Sequence, residues 1–178
     1  MTYEEKTISS EMIYEGAILN LRRDKVYVKG DNTSYREIVE HNGGVAVAAV
    51  TDDHRMLMVS QYRKAAERVV LEVPAGKRET DEDPMFTAMR ELREETGYSA
   101  QKFKHLTSFY SSIGYSTEVI HIYMATGLTP GETDFDENEA IDLSSYPVEE
   151  LKQMVLDGEI IDGKTITAIL LVAAELGI

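Results

Sequence analysis

Residues 76–98 read GKRETDEDPMFTAMRELREETGY and combine a turn-rich start with a helical pattern. Asp83 suits the N-cap of a helix, Pro84 suits its first position, and Gly97 suits a left-handed C-terminal cap. Apolar residues recur at helical spacing between these ends, which predicts that they form the buried face of the helix. The predicted buried residues are Met85, Ala88, Met89, Leu92 and Thr96.

Three glutamates, Glu91, Glu94 and Glu95, are predicted to lie on the opposite side of this helix. Like charges one turn apart weaken a helix by about 0.2–0.5 kcal/mol, so the cluster calls for a compensating partner. A divalent cation would provide it, because Mg²⁺ prefers oxygen ligands and commonly binds carboxylates together with substrate phosphates. A solvated acidic surface is the alternative interpretation of the same residues.

The spacing of the fixed residues resembles the Nudix box of the Nudix hydrolases, G-x5-E-x7-R-E-U-x-E-E-x-G-U, with U a bulky aliphatic residue. The matching positions are Gly76, Glu82, Arg90, Glu91, Leu92, Glu94, Glu95 and Gly97. Tyr98 stands where an aliphatic residue is usual, and an aromatic ring can fill the same apolar slot. The resemblance implies the α/β Nudix fold, a mixed β-sheet sandwiched between helices.

Composition limits the class of protein. The chain has 178 residues, 43% of them hydrophobic and 28% charged, which predicts a globular protein with a substantial core. A formal net charge of −14 argues against a nucleic-acid partner, since phosphate backbones need basic patches. The sequence shows no membrane-spanning run and no signal-peptide pattern, and its lack of cysteine excludes disulfides and thiol chemistry. We expect a cytoplasmic enzyme.

Residues 1–42 are predicted to form a small antiparallel β unit ahead of the main domain, residues 43–178. The chain most resembles the ADP-ribose pyrophosphatase branch of the family, in which such a sheet crosses to a second subunit. The resemblance therefore implies a homodimer, and a β-meander packed on its own domain is the alternative. Three aromatic residues of this unit could stack on the nucleotide base or serve sheet packing: Tyr14, Tyr27 and Tyr35.

Two segments before the box carry the resemblance to that branch: a Gln-aromatic-Arg sequence that ends at Arg63, and the Glu-aliphatic-Pro-Ala-Gly sequence that begins at Glu72. The resemblance implies that Arg63 contacts the substrate, that Glu72 and Gly76 line its site, and that Ala75 offers its backbone carbonyl to a metal. A guanidinium also suits a diphosphate chemically, because it can bind two oxygens at once. A surface ion pair is the alternative for Arg63.

Downstream of the box, Ile113 stands in Ser112-Ile113-Gly114, where the resembling pyrophosphatases have Ser-Pro-Gly. That proline marks ADP-ribose specificity, so its replacement keeps other substrates open. Glu118 matches a family glutamate near the substrate and metals. The acidic segment of residues 130–141 resembles a loop that brings a catalytic glutamate to the site, with Glu139 the best match and Glu137 the second. A solvated acidic loop is the alternative.

The expected chemistry is metal-dependent hydrolysis of a nucleoside diphosphate linked to another moiety. Metal ions can neutralise phosphoryl oxygens and lower the pKa of a bound water. We expect Mg²⁺, with Mn²⁺ as a substitute, held by Glu91, Glu95 and Glu94. The catalytic residues are predicted to be Glu139 as the general base, Glu94, and Arg90, which holds the carboxylates in place.

By resemblance the leading substrate is ADP-ribose, cleaved to AMP and ribose 5-phosphate. GDP-mannose or another nucleotide sugar is the main alternative, and damaged nucleoside triphosphates are a more distant one. A nucleotide sensor without catalysis is disfavoured, because such a module is expected to have lost the box glutamates. The histidines show no metal-ligand spacing and are interpreted as structural or exposed: His41, His54, His105 and His121.

Overall fold

The structure is a computed structural model that describes residues 4–131 and 141–178. Its elements follow the chain in this order: β1 (Thr7–Glu15), β2 (Asn20–Tyr27), β3 (Thr33–Glu40), β4 (Gly44–Ala49), β5 (Arg55–Arg63), β6 (Arg68–Glu72), β7 (Ala75–Lys77), α1 (Pro84–Thr96), β8 (Ser99–Tyr110), β9 (Val119–Thr129), β10 (Asp142–Pro147), α2 (Val148–Leu156) and α3 (Gly163–Leu176). The chain divides into two compact units. The first comprises the described residues up to Gly43 with Tyr110–Val119, and the second comprises Gly44–Phe109 with the described residues from Ile120 onward.

The first unit contains an antiparallel sheet of three strands in the order β1-β2-β3, which confirms the predicted N-terminal antiparallel sheet. The segment Tyr110–Val119 joins this unit through the backbone of Val39, whose N–H donates to Tyr115 and whose carbonyl accepts from Thr117. Every residue of β1 is exposed. Its large apolar side chains are among the exposed ones: Ile8, Met12, Ile13 and Tyr14.

The second unit contains a mixed four-stranded sheet in the order β7-β4-β9-β8 and an antiparallel three-stranded sheet in the order β10-β5-β6. Strand β4 runs parallel to β9 and antiparallel to β7, and all six of its residues are buried. Its side chains alternate between two cores, as the period of a strand requires. Ala46 and Ala48 share a core with α2 and α3, whereas Val45 and Val47 share one with α1. Helices therefore cover both faces of the sheet, which confirms the predicted α/β class.

Helix α1 begins and ends where local chemistry predicts. The Asp83 carboxylate accepts a hydrogen bond from the Met85 N–H at 2.8 Å, and Pro84 occupies the first helical position. Gly97 closes the helix in the left-handed conformation with φ 75°, which a glycine adopts without the strain a side chain brings.

The predicted buried face of α1 is partly wrong. Met85 and Met89 are 40% and 46% exposed, whereas Glu91 and Glu95 are buried together with Leu92. The helix is rotated about its axis so that the glutamate side faces the sheet. The spacing of apolar residues did not predict this rotation, because such a pattern assigns carboxylates to the solvent side. Glu91 and Glu95 are buried because each has a polar partner inside the fold.

None of the helices in the described part of the chain is long and apolar enough to span a bilayer.

Candidate metal and substrate site

Gly76 on β7 lies directly against the carboxylate of Glu91 on α1. A Cβ atom added at Gly76 would stand 1.9 Å from Glu91 Cδ and 2.0 Å from Glu91 Oε1. No real Cβ stands this close to another atom, so a side chain at residue 76 would require the Glu91 carboxylate to move. The missing side chain gives the carboxylate its place beside the strand, and Glu91 is only 9% exposed.

Glu95, one turn further along α1, is 4% exposed and accepts a hydrogen bond from the Ala75 N–H at 2.9 Å. Ala75 lies opposite Ala46 in the ladder, and the next bond of that ladder runs from the Val47 N–H to the Pro74 carbonyl. In an antiparallel ladder the N–H and C=O of one residue point to the same side. The Ala75 carbonyl therefore points away from β4, on the side that Glu95 occupies.

Arg90 binds three of the box glutamates with one guanidinium. Its Nη1 lies 2.8 Å from a carboxylate oxygen of Glu91 and 2.8 Å from one of Glu94, and its Nη2 lies 3.3 Å from Glu82. Burial of the guanidinium would lower the pKa of Arg90, but the hydrogen bonds and charges of these glutamates outweigh burial and raise it. Arg90 thus keeps several acidic side chains together that would otherwise repel one another.

The donor atoms around β7 and α1 suit a divalent ion. The carboxylates of Glu91, Glu94 and Glu95 and the carbonyl of Ala75 are hard oxygen ligands of the kind that Mg²⁺ and Mn²⁺ prefer. Among residues 4–131 and 141–178, no three acidic or histidine side chains already form a complete ligand set. Two of the carboxylates instead bind Arg90. The donor chemistry fits a metal that would compete with the Arg90 guanidinium for these carboxylates.

A second charged cluster surrounds Glu72, which is 2% exposed at the end of β6. Arg63 approaches it with a two-pronged contact, Nε at 2.6 Å and Nη2 at 2.8 Å, and Lys164 binds the same carboxylate. Burial would raise the pKa of Glu72, but Arg63 and Lys164 outweigh burial and lower it. Glu72 is therefore ionised at neutral pH, with two cations beside it.

Lys164 binds Glu72 but is not among the site residues predicted from the sequence. It lies 92 residues after Glu72, just inside α3, where its segment suggested only the start of a helix. Asp162 caps that helix by accepting from the Thr165 N–H at 3.0 Å and also binds Lys164 Nζ at 2.9 Å. The only sequence signal for Lys164 is a cation beside the good N-cap residue Asp162. Its contact with Glu72 on β6 could not be predicted, because the fold brings these distant residues together.

Arg63 connects the two clusters electrostatically. The hydrogen bond that Arg63 donates to Glu72 is the largest influence on the pKa of Arg63 and raises it, and the charges of Glu95 and Asp162 raise it further. The Arg63 side chain is still 40% exposed, so part of its guanidinium can reach a ligand. The second unit therefore brings together the residues predicted near the box: Arg63, Glu72, Ala75, Gly76, Arg90, Glu91, Glu94 and Glu95.

The remaining predicted positions belong to the first unit or fall outside the described residues. Glu118 belongs to the first unit, where its Oε1 lies 3.3 Å from Nδ1 of His41. The Gly43 N–H donates to that same nitrogen at 3.0 Å, so Nδ1 acts as an acceptor and not as a donor to Glu118. Glu139 and Glu137 lie outside the described residues. The candidates for base stacking are all exposed in the first unit: Tyr14, Tyr27 and Tyr35.

Comparisons with known proteins agree on one family. The NUDIX domain model matches residues 40–168. An ADP-ribose pyrophosphatase from Bacillus subtilis (strain 168) is 43% identical over 168 residues, or 93% of this chain and 91% of that protein. A methanol dehydrogenase activator from Bacillus methanolicus is 44% identical over 169 residues, which cover 94% of this chain and 91% of that protein. The crystal structure of an ADP compounds hydrolase superposes with a TM-score of 0.87 over 99% of this chain and 96% of that one; at 19% identity this likeness shows the fold.

Replacing Gly76 with alanine should weaken divalent-ion binding by at least about tenfold, because the new Cβ would displace the Glu91 carboxylate. Titration with Mn²⁺, followed by electron paramagnetic resonance, measures this affinity. Gly163→Ala is the matched control, since a Cβ there meets nothing within 4 Å. Equal Mn²⁺ affinity in Gly76→Ala and wild type would refute the assignment of Glu91 as a ligand.

Proposed function

This chain belongs to the Nudix family, and from that membership we propose that it hydrolyses ADP-ribose to AMP and ribose 5-phosphate. Nudix hydrolases generally depend on a divalent metal, and we propose Mg²⁺ here, with Mn²⁺ as a substitute. The observation that carries the proposal is the pair of buried carboxylates, Glu91 and Glu95, held against β7 where Gly76 leaves room. A family member that had lost hydrolysis would have no need to bury two carboxylates beside one strand.

The proposed metal ligands are Glu91, Glu95, Glu94 and the Ala75 carbonyl. When bound, the metal would neutralise the diphosphate oxygens and make a water molecule more acidic. Arg90 holds Glu91 and Glu94 close together through its 2.8 Å contacts, and a bound metal would compete with Arg90 for these carboxylates.

On the substrate side, we assign the diphosphate to Arg63, whose guanidinium matches two phosphoryl oxygens. When Arg63 turns from Glu72 towards a ligand, Lys164 remains on the buried Glu72 carboxylate. This second cation matters, because a buried carboxylate without a partner is strongly destabilising. Glu139 is the proposed general base, and Gly76 and Glu118 are proposed substrate contacts.

The test is product analysis by ion-exchange chromatography after incubation of the purified protein with Mg²⁺ and ADP-ribose, GDP-mannose or a nucleoside triphosphate. We expect AMP to appear chiefly from ADP-ribose. Glu95→Gln should lower kcat by at least about 100-fold, because a ligand to the metal is lost, while the exposed control Glu149→Gln keeps full activity.

Three results would count against parts of this proposal. Near-normal turnover by Glu95→Gln would remove Glu95 from the metal site. Preferential cleavage of GDP-mannose would keep the metal site and overturn the substrate, an outcome that Ile113 in place of proline leaves open. Recovery of intact ADP-ribose bound to the protein after long incubation would favour a nucleotide sensor.

We further propose that the protein is a cytoplasmic homodimer that pairs through its first sheet. Strand β1 is at the edge of that sheet and exposes large apolar side chains along its length, and such an edge is a template for pairing with another chain. Sedimentation equilibrium should give twice the 20.0 kDa mass of one chain. Ile13→Lys should shift the mass towards the monomer, and Leu156→Lys, on exposed helix surface, should not. A monomeric wild type would rule out the dimer.

A second candidate function is activation of a methanol dehydrogenase, favoured by the identity with the activator from Bacillus methanolicus. The test adds this protein to purified methanol dehydrogenase and measures the rate of methanol oxidation. We expect wild type to raise that rate and Glu95→Gln to leave it unchanged, because we attribute the effect to hydrolysis. Stimulation by both proteins would assign activation to contact, and no stimulation by either would exclude this function for the dehydrogenase tested.

A further inference from the structure

Strands β8 and β9 carry a cluster of His105, Ser108 and His121 that the proposed hydrolysis does not use. The Ser108 hydroxyl oxygen lies 2.7 Å from Nε2 of His105 and 2.8 Å from Nδ1 of His121. Two imidazole nitrogens therefore converge on one point at the surface. The Tyr123 ring meets the His105 ring edge-on, with centroids 5.4 Å apart, and restricts its orientation.

The cluster is distinct from the box glutamates. His121 pairs in parallel with Val45 on β4, and Val45 pairs with Gly76 on β7. Paired residues on neighbouring strands point to the same face of a sheet, so His121 lies on the face that packs against α1. Two strand spacings separate it from Gly76, about 10 Å.

The hydrogen-bond chemistry of the cluster favours a cation with affinity for nitrogen. A serine hydroxyl has one hydrogen, so Ser108 donates to one imidazole and accepts from the other. The ring that donates has its proton on the nitrogen facing Ser108, so metal binding would require this proton to move to the other ring nitrogen, after which both facing nitrogens offer a lone pair. Burial, Arg78 and His105 lower the pKa of His121, and Asp83 opposes them only in part. The lowered pKa favours the neutral ring near pH 7. An anion such as phosphate would instead require protonated rings.

We propose that His105, Ser108 and His121 form a second metal site, selective for a transition-metal ion such as Ni²⁺ or Zn²⁺ over Mg²⁺. Imidazole nitrogen suits zinc, copper and nickel, whereas Mg²⁺ prefers oxygen. Nε2 of His105 and Nδ1 of His121 supply two ligands, and Ser108 or water completes the coordination. No third histidine or carboxylate in residues 4–131 and 141–178 joins the set, so the affinity is moderate.

The site can be tested by isothermal titration of untagged protein with Ni²⁺ at pH 7.5, in excess Mg²⁺ to saturate the glutamates. We expect one Ni²⁺ to bind wild type. His105→Ala and His121→Gln should each weaken binding by at least about tenfold, and the double variant should abolish it. His54→Asn is the matched control, because His54 is an exposed histidine with φ 59°, a conformation that asparagine tolerates.

One further measurement separates this site from the proposed hydrolytic one. Glu95→Gln should bind Ni²⁺ as tightly as wild type in excess Mg²⁺, because it leaves both imidazoles and Ser108 in place. Circular dichroism melting checks that the surface substitutions leave the fold intact. Unchanged Ni²⁺ binding in the folded double variant, or no binding by wild type, would overturn the proposal whatever the protein hydrolyses.

Discussion

The close approach of Glu91 to the backbone of Gly76 is the constraint on which the candidate site depends. Helix α1 packs its Ala88 and Leu92 into an apolar core on the sheet, and the same surface carries Glu91 and Glu95 towards β7. A side chain at residue 76 would displace the Glu91 carboxylate from its place beside β7. The carboxylates are therefore positioned by core packing, which is more rigid than a loop.

Burying carboxylates is unfavourable unless each finds a charged or hydrogen-bonding partner. Arg90 and the Ala75 N–H are the partners of the glutamates of α1. Arg63 and Lys164 are the partners of Glu72. At Glu72, Arg63 and Lys164 outweigh burial and lower the pKa of the carboxyl. Arg90 and Arg63 are only partly buried, so each can give way to a ligand without a rearrangement of the core.

Local chemistry allowed the ends of α1 to be predicted, because Asp83, Pro84 and Gly97 act on the backbone within one turn. The rotation of the helix could not be predicted in this way. Met85 and Met89 fit an apolar stripe as well as Leu92 does, and the choice among them depends on where the glutamates find partners. The same limit explains Lys164 and the pair of His105 and His121, since their neighbours are distant in sequence and are brought close only by topology.

The contrast between residues that are close in sequence and residues that only the fold brings together also applies to the choice of substrate. The box lies within 23 consecutive residues, so its resemblance to the Nudix box could be recognised from the sequence, and that resemblance implies the hydrolytic chemistry. Groups that would discriminate between substrates come from separate strands and loops. Ile113 illustrates the point: its loop is already turned by hydrogen bonds from the N–H groups of Tyr115 and Ser116 to the Ser112 carbonyl. The turn around Ile113 thus forms without a proline at that position, and its shape depends on backbone hydrogen bonds that no single side chain reveals.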